Sequence, residues 1–315
     1  MNTALLFMIT VFIWGTSWLA VAWQIGEVPI LTSIFYRFAL AALLMFAGLL
    51  ALKRLTLPAQ WRYIVLQALC LFSVNIVAFY YATAYIPSGL VAVIFSLASI
   101  LNAVNARFIY GDQIARRVVL AAFFGVTGLG FIFWQSLALS FDTDTLKGVG
   151  LAMLGTFLFS LGNMVSRKNT SLGISPATAI AWGMAIAAVF LLALMSVTGD
   201  QLVVPSKFSY VAALIYLALF SSVIGFTTYL VLVARIGSAK AGYATVVFPV
   251  VALLLSTFAE GFEWTIPAIV GVSLILVGNL VMFARAKDGS ALRVLKRTGF
   301  PWTSTKVQLD QHTLR

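Results

Sequence analysis

Apolar runs of about 20 residues, separated by short clusters of charge, follow one another along almost the whole chain. At 1.5 Å of rise per residue, each run is as long as the hydrocarbon core of a bilayer is thick, roughly 30 Å. The pattern predicts ten spans, at 2–23, 31–52, 63–84, 87–109, 117–136, 147–166, 177–198, 209–234, 239–258 and 265–286. The expected fold class is therefore an all-α integral membrane protein with ten transmembrane helices. The first span is expected to be retained: no Lys or Arg precedes it, and it is longer than the apolar stretch of a usual signal peptide.

Charge gives the orientation. The second, fourth, sixth and eighth loops and the C-terminal tail hold all of the 20 Lys and Arg residues except Arg37, Lys147 and Lys207. The opposite side carries Glu27, Asp142, Asp144, Asp200, Glu260 and Glu263. Short cytoplasmic loops keep Lys and Arg, so both termini are expected to be cytoplasmic, in the inner membrane of a bacterium. Residues 287–315 are expected to form a basic, disordered cytoplasmic tail; its cluster from Arg285 to Arg297 either lies on anionic lipid or is simply solvated.

Composition agrees: 62% of residues are hydrophobic and 9% charged, too few charges to cover a surface in water. The net charge of +11 reads as topology rather than nucleic-acid binding, because it is spread over separate loops without interleaved stacking aromatics. Cys70 is the single cysteine and has no disulfide partner within the chain. The one histidine, His312, is in the tail, and zinc-protease, serine-hydrolase and P-loop motifs are missing. No enzymatic activity, cofactor or metal site is expected. A lipid-modifying enzyme would need a clustered acid, base or metal set that the chain does not supply.

The two halves match at a nearly constant offset. Trp14-Gly15 falls opposite Leu161-Gly162 and Pro29 opposite Pro176, 147 residues apart. Ile86-Pro87-Ser88-Gly89 falls opposite Ile236-Gly237-Ser238-Ala239 and Ser99 opposite Pro249, 150 apart. Five spans per copy is an odd number, so the second copy begins on the other side of the membrane. Two inverted five-helix repeats, 1–140 and 145–286, are expected, joined by a linker from Ser136 to Thr145.

With these features the chain resembles the EamA-type members of the drug/metabolite transporter superfamily. The resemblance rests on Phe12-Ile13-Trp14-Gly15-Thr16-Ser17, Tyr36-Arg37-Phe38-Ala39-Leu40-Ala41-Ala42, Ala84-Tyr85-Ile86-Pro87-Ser88-Gly89 and Phe248-Pro249-Val250, and it covers residues 2–286. It implies a secondary transporter of small organic metabolites working by alternating access, with efflux as the usual direction. It also implies that spans five and ten are peripheral and available to a homodimer. Two departures stand out: Ser99 replaces the family's mid-helix proline, which predicts a straighter fourth span, and Asp112 stands where Glu is commoner.

Polar residues at mid-membrane depth are the site candidates, since each costs free energy unless it is paired or faces water. Arg37 is the only charged residue well inside a span. It is read either as a fork for a substrate carboxylate or as a structural residue that snorkels or binds backbone carbonyls. Asn75 and Tyr81 in span three, Ser99 and Asn102 in span four, Trp14 in span one, Asn163 in span six, Ser221 in span eight and Thr245 in span nine complete the candidate substrate site. Each also reads as interhelical packing. A wet cavity lined by spans one, three, four, six, eight and nine would gather them. Pro249 has no N–H to donate to the carbonyl of Thr245 and is read as a hinge or a fixed kink. Trp182 is a further candidate for meeting an aromatic cargo. Glu260, Glu263 and Asp112, at span ends, read as capping or gating groups, and no mid-membrane acid supports proton coupling. The expected cargo is an amino acid or similar zwitterion, with a vitamin, nucleoside or aromatic compound as the rival.

Overall fold

The computed structural model describes residues 2–134, 142–236, 241 and 244–283. The expected tail at 287–315, the linker up to residue 141, and Gly237-Ser238-Ala239 of the repeat motif lie outside the described residues. Among those described there are helices and no strands.

Ten helical rods follow in chain order: α1 (Thr3–Ala22), α2 (Ile30–Ala51), α3 (Trp61–Tyr85), α4 (Ser88–Tyr110), α5 (Arg116–Ile132), α6 (Thr143–Ser171), α7 (Pro176–Thr198), α8 (Phe208–Ile236), α9 (Ala244–Ala259) and α10 (Ile266–Phe283). Seven of them, α1 to α4 and α6 to α8, are long and apolar enough to cross a membrane. Local chemistry sets several ends. Asn2 accepts from the Ala4 N–H to start α1, and Ser175, followed by Pro176, accepts from Thr178 to start α7. Gly111 and Gly199, with φ of 71° and 80°, close α4 and α7 in the left-handed conformation that only glycine adopts without strain.

Contacts between connections divide them between two ends. At one, Glu27 accepts from Ser206 and Lys207, and Glu260 from Ser88. At the other, Thr56 meets Thr178, and Arg167 pairs with Asp112 at 2.7 Å. The acidic side chains predominate at the first end and the basic ones at the second, so we call them the acidic and basic ends.

Three rods are not regular α-helices. In α3 the turn Ala68–Ser73, and in α8 the turn Leu217–Gly225, widen to π-helix. Such turns free carbonyls for other partners: Ser221 O accepts from Trp14 Nε1 at 3.4 Å. In α4 the α-helix is interrupted at Ser96 and Leu97. The fourth span thus departs from a regular α-helix although it lacks the family's proline. Ser96 Oγ donates to Val93 O at 2.6 Å, and Leu97 N donates three residues back to Ile94 O. Hydroxyls that offer the backbone an alternative partner can break a helix without proline. Asn279 of α10 braces the break, donating to Ser96 Oγ at 3.1 Å and accepting from Ser99 Oγ at 2.8 Å.

Helix α1 runs through the core, packed against α3, α4, α8 and α9. Helices α5 and α10 form a close pair: a Cβ on Gly128 would lie 2.6 Å from Gly271 O, and one on Gly271 would lie 2.4 Å from Gly128 O. Here the absence of side chains is what lets the two backbones meet.

Candidate functional site

At the centre of the bundle is a cavity through which the centre of a water-sized sphere can range over about 50 Å³. By the measure of roughly 10–15 Å³ per water, it holds only a few water-sized bodies. Its wall comes from α1, α2, α3, α4, α6, α8 and α9. Most of that wall is apolar, and α2 joins the six spans expected to line it. Trp14, Trp18, Phe79, Tyr80, Phe95, Phe159, Phe226 and Phe248 supply rings, while Ser17, Arg37, Asn75 and Ser221 supply the other polar groups.

The rings hold one another largely by edge-to-face contact. Trp14 meets Phe95, Phe159, Phe226 and Phe248 at interplanar angles of 69°, 75°, 67° and 85°, with centroids 5.3–6.4 Å apart. Trp18 meets Phe79 at 84° and Phe79 meets Phe95 at 86°. This arrangement sets positive ring edges against negative faces and fixes the wall. Gly225 makes room for it: a Cβ there would lie 2.6 Å from Trp14 Nε1.

Arg37 is 4% exposed. Its Nε donates to Ser222 Oγ at 2.9 Å, its Nη2 to Ser221 Oγ at 3.1 Å, and its Nη1 reaches Tyr80 Oη at 3.5 Å. Tyr80 in turn donates to Gln24 Oε1 at 2.7 Å. Among the described residues no carboxylate lies within ion-pair distance of it; the ion pairs found are Lys147–Asp144 and Arg167–Asp112, both exposed. The guanidinium neither snorkels to water nor binds backbone carbonyls. Neutral side-chain oxygens surround it, and among the described residues no counter-charge stands beside it. Asn75, also on the wall, is fully buried, and neither its Oδ1 nor its Nδ2 has a partner among the described residues.

The structure thus brings together four of the sequence candidates on one cavity: Trp14, Arg37, Asn75 and Ser221. The remainder lie elsewhere. Tyr81 is 37% exposed and off the wall, while its neighbour Tyr80 is on it. Ser99 belongs to the braced break of α4. Asn102 and Asn163 form a second buried cluster toward the basic end, where Asn163 Nδ2 lies 3.2 Å from Asn102 Oδ1 and 3.1 Å from Tyr229 Oη. Thr245 is buried on α9, one turn before Phe248, and Pro249 lies inside that helix. Trp182 is bound at the basic end, donating to Thr56 O at 3.0 Å. At the span ends, Glu260 holds Ser88 and Asp112 holds Arg167.

Sequence reasoning missed Trp18, Tyr80, Phe95, Phe159, Phe226 and Phe248. For Tyr80 a signal existed. Six residues from Asn75 to Tyr81 are about 1.7 helical turns, which turns Tyr81 away from the stripe of Asn75, Ile76 and Phe79 and brings Tyr80 into it. Among the described residues no cluster of His, Cys, Asp or Glu is arranged to hold a metal ion.

The model of the EamA-like transporter family matches twice, at residues 1–134 and 146–284. Protein PagO of Salmonella typhimurium is 25% identical over 304 residues, covering 92% of this chain and 98% of that protein. The uncharacterized transporter YyaM of Bacillus subtilis is 26% identical over 273 residues, covering 84% and 88%. A solved crystal structure matches with a TM-score of 0.67 at 20% identity, over 89% of this chain and 97% of the other, a likeness of fold.

Proposed function

Because the chain belongs to the EamA-like transporter family and is a multi-pass membrane protein, we propose that it is a secondary transporter of the bacterial inner membrane whose central cavity carries a small organic metabolite. In this reading all ten rods span the bilayer. Helices α5, α9 and α10 are the shorter ones, and each stands close to residues outside the description. The basic end faces the cytoplasm, and both termini lie there.

Two inverted repeats, 1–140 and 145–286, would open the cavity to each side in turn. The double match of one family model supports this, as do widened turns at corresponding places in α3 and α8. Outward transport rests on the family resemblance alone.

The observation that carries the site is that Arg37, buried without a carboxylate among the described residues, shares the cavity wall with Asn75, neither of whose amide atoms has a described partner. An Arg at a helix centre costs roughly 2.5–3.5 kcal/mol on insertion scales, and Ser and Tyr hydroxyls solvate the charge without neutralising it. A ligand that completes both groups explains why they face a cavity. For an amino acid, the carboxylate has this partner. Its ammonium has no acidic partner on the described wall, and the rings favour the rival reading, a cargo with a flat apolar body.

The test compares metabolites released by cells producing the chain with those released by cells producing Asn75→Trp at equal abundance. The expected result is a small set of compounds enriched only by the unaltered protein. Identical media would remove constitutive export.

A further inference from the structure

Resting on the reading of the cavity as a transport site, we propose that its cargo is a compact organic monoanion. Arg37 and Asn75 bind the anionic head, the rings around Trp14 and Phe95 bind a flat apolar body, and amines are rejected.

Charge sets the first condition. The site holds one cation and, among the described wall residues, no acid. A single negative charge makes the loaded cavity neutral, whereas a dianion would leave one charge buried in a low-dielectric wall, which costs several kcal/mol. An ammonium would be repelled by Arg37 where little water screens it.

Donor geometry sets the second. A guanidinium has five N–H groups, and three of its contacts are to Ser222, Ser221 and Tyr80. The remaining donors, with the unpartnered Asn75 Nδ2, suit a planar head with two acceptor oxygens. Asn75 Oδ1 is left to accept from a hydroxyl or amide on the cargo.

The rings set the third. A cation would need an open ring face, but the Trp14 contacts at 67–85° already set neighbouring edges and faces against each other. What they offer a newcomer is apolar area. The small cavity volume favours a single ring over a nucleoside-sized body.

The experiment uses purified full-length protein in lipid nanodiscs at neutral pH. Thermal stabilisation is measured with benzoate, benzamide, benzylamine and phenylalanine, which share one ring and differ in charge. Benzoate is expected to stabilise, phenylalanine less, and benzamide and benzylamine not at all. Arg37→Gln should weaken benzoate roughly 30-fold or more, the range for removing one member of a buried charge pair, and Asn75→Leu about tenfold. Should Arg37→Gln fail to fold, the ranking of ligands on the unaltered protein decides alone. Benzamide or benzylamine binding as well as benzoate would overturn the proposal, as would benzoate without effect.

Flux is then followed in proteoliposomes with radiolabelled benzoate at pH 8, read against protein-free liposomes to remove passive leak. Binding of benzoate without protein-dependent benzoate flux would keep the anion site and sink the transport reading. Transport of benzylamine without benzoate binding would do the reverse.

Discussion

Tyr80 and Tyr229 stand at matching places, twelve residues past Ala68 and Leu217, where the widened turns of α3 and α8 begin. Both are buried, and both rings stand beside the central cavity. Their hydroxyls meet opposite surroundings. Tyr80 Oη joins Gln24 and the charged Arg37, whereas Tyr229 Oη joins the neutral amide pair Asn163 and Asn102. The amide pair is tied through Asn163 Nδ2 alone, at about 1 kcal/mol per hydrogen bond. Among the described residues Asn102 Nδ2 and Asn163 Oδ1 are left without partners, but neither group carries a charge. A buried cation needs a counter-charge that hydroxyls do not provide. Under the proposed function, one framework would serve as a recognition site in one half and as a tie between α4, α6 and α8 in the other.

The sharpest way to break this comparison is to remove the charge. Arg37→Gln is expected to lower flux about 100-fold or more while the protein still reaches the membrane, and Arg37→Lys, which keeps charge but loses the fork, should fall between. Vesicle uptake with matched protein amounts reads this out, and Arg37→Gln at unaltered flux would end the distinction. On the other side, Asn163→Leu is expected to cost about 1–3 kcal/mol of stability by leaving Asn102 and Tyr229 without its amide. Benzoate affinity should change less than threefold. An affinity loss as large as that for Arg37 would mean that both clusters bind cargo.

The division between the two clusters was only partly legible in the sequence. Arg37 and Asn75 stood out because a polar group in an apolar span is costly wherever it lies. Which apolar rings face inward was not legible, since in a span that is apolar on all sides Phe95 and Phe108 look alike, yet one is buried and the other 82% exposed. Helical phase failed as well. The interruption at Ser96 and Leu97 cuts Ser96 off from the stripe of Ser99 and Asn102, and within that stripe Ser99 bonds Asn279 while Asn102 meets Asn163. That interruption comes from hydroxyl bonding to the backbone, a choice that depends on Asn279 from a distant part of the chain. By contrast, the long apolar runs and the two-ended charge pattern are properties of composition and survive local irregularity.

Away from both clusters, the α5–α10 pair gives a smaller test. Gly128→Ala puts a methyl into the contact with Gly271 and should destabilise by roughly 1–3 kcal/mol with ligand selectivity unchanged. Thermal unfolding of the ligand-free and benzoate-bound forms checks it; a change in ligand ranking would tie this pair to the cavity. The exposed Asp112–Arg167 pair should matter less still, with Asp112→Asn shifting stability by under about 1 kcal/mol.

The smallest effect is expected at Glu27, in the connection that also carries Gln24, the partner of Tyr80. Partial withdrawal from water pushes its carboxyl up. The backbone N–H groups of Lys207 and Ser206, the Ser206 hydroxyl and the Lys207 charge outweigh that and hold it below the ordinary 4.5. A carboxyl lowered in the folded state stabilises fully above its unfolded value and loses that contribution as pH falls through the folded one. Glu27→Gln should therefore melt slightly below the unaltered protein at neutral pH, and the two should converge as pH falls below 4.5. Thermal scans across that range decide the matter. A gap that widens on acidification would show that Glu27 does not clamp the 199–207 connection through its charge, and would leave the Tyr80 cluster to be held by Arg37 and Gln24 alone.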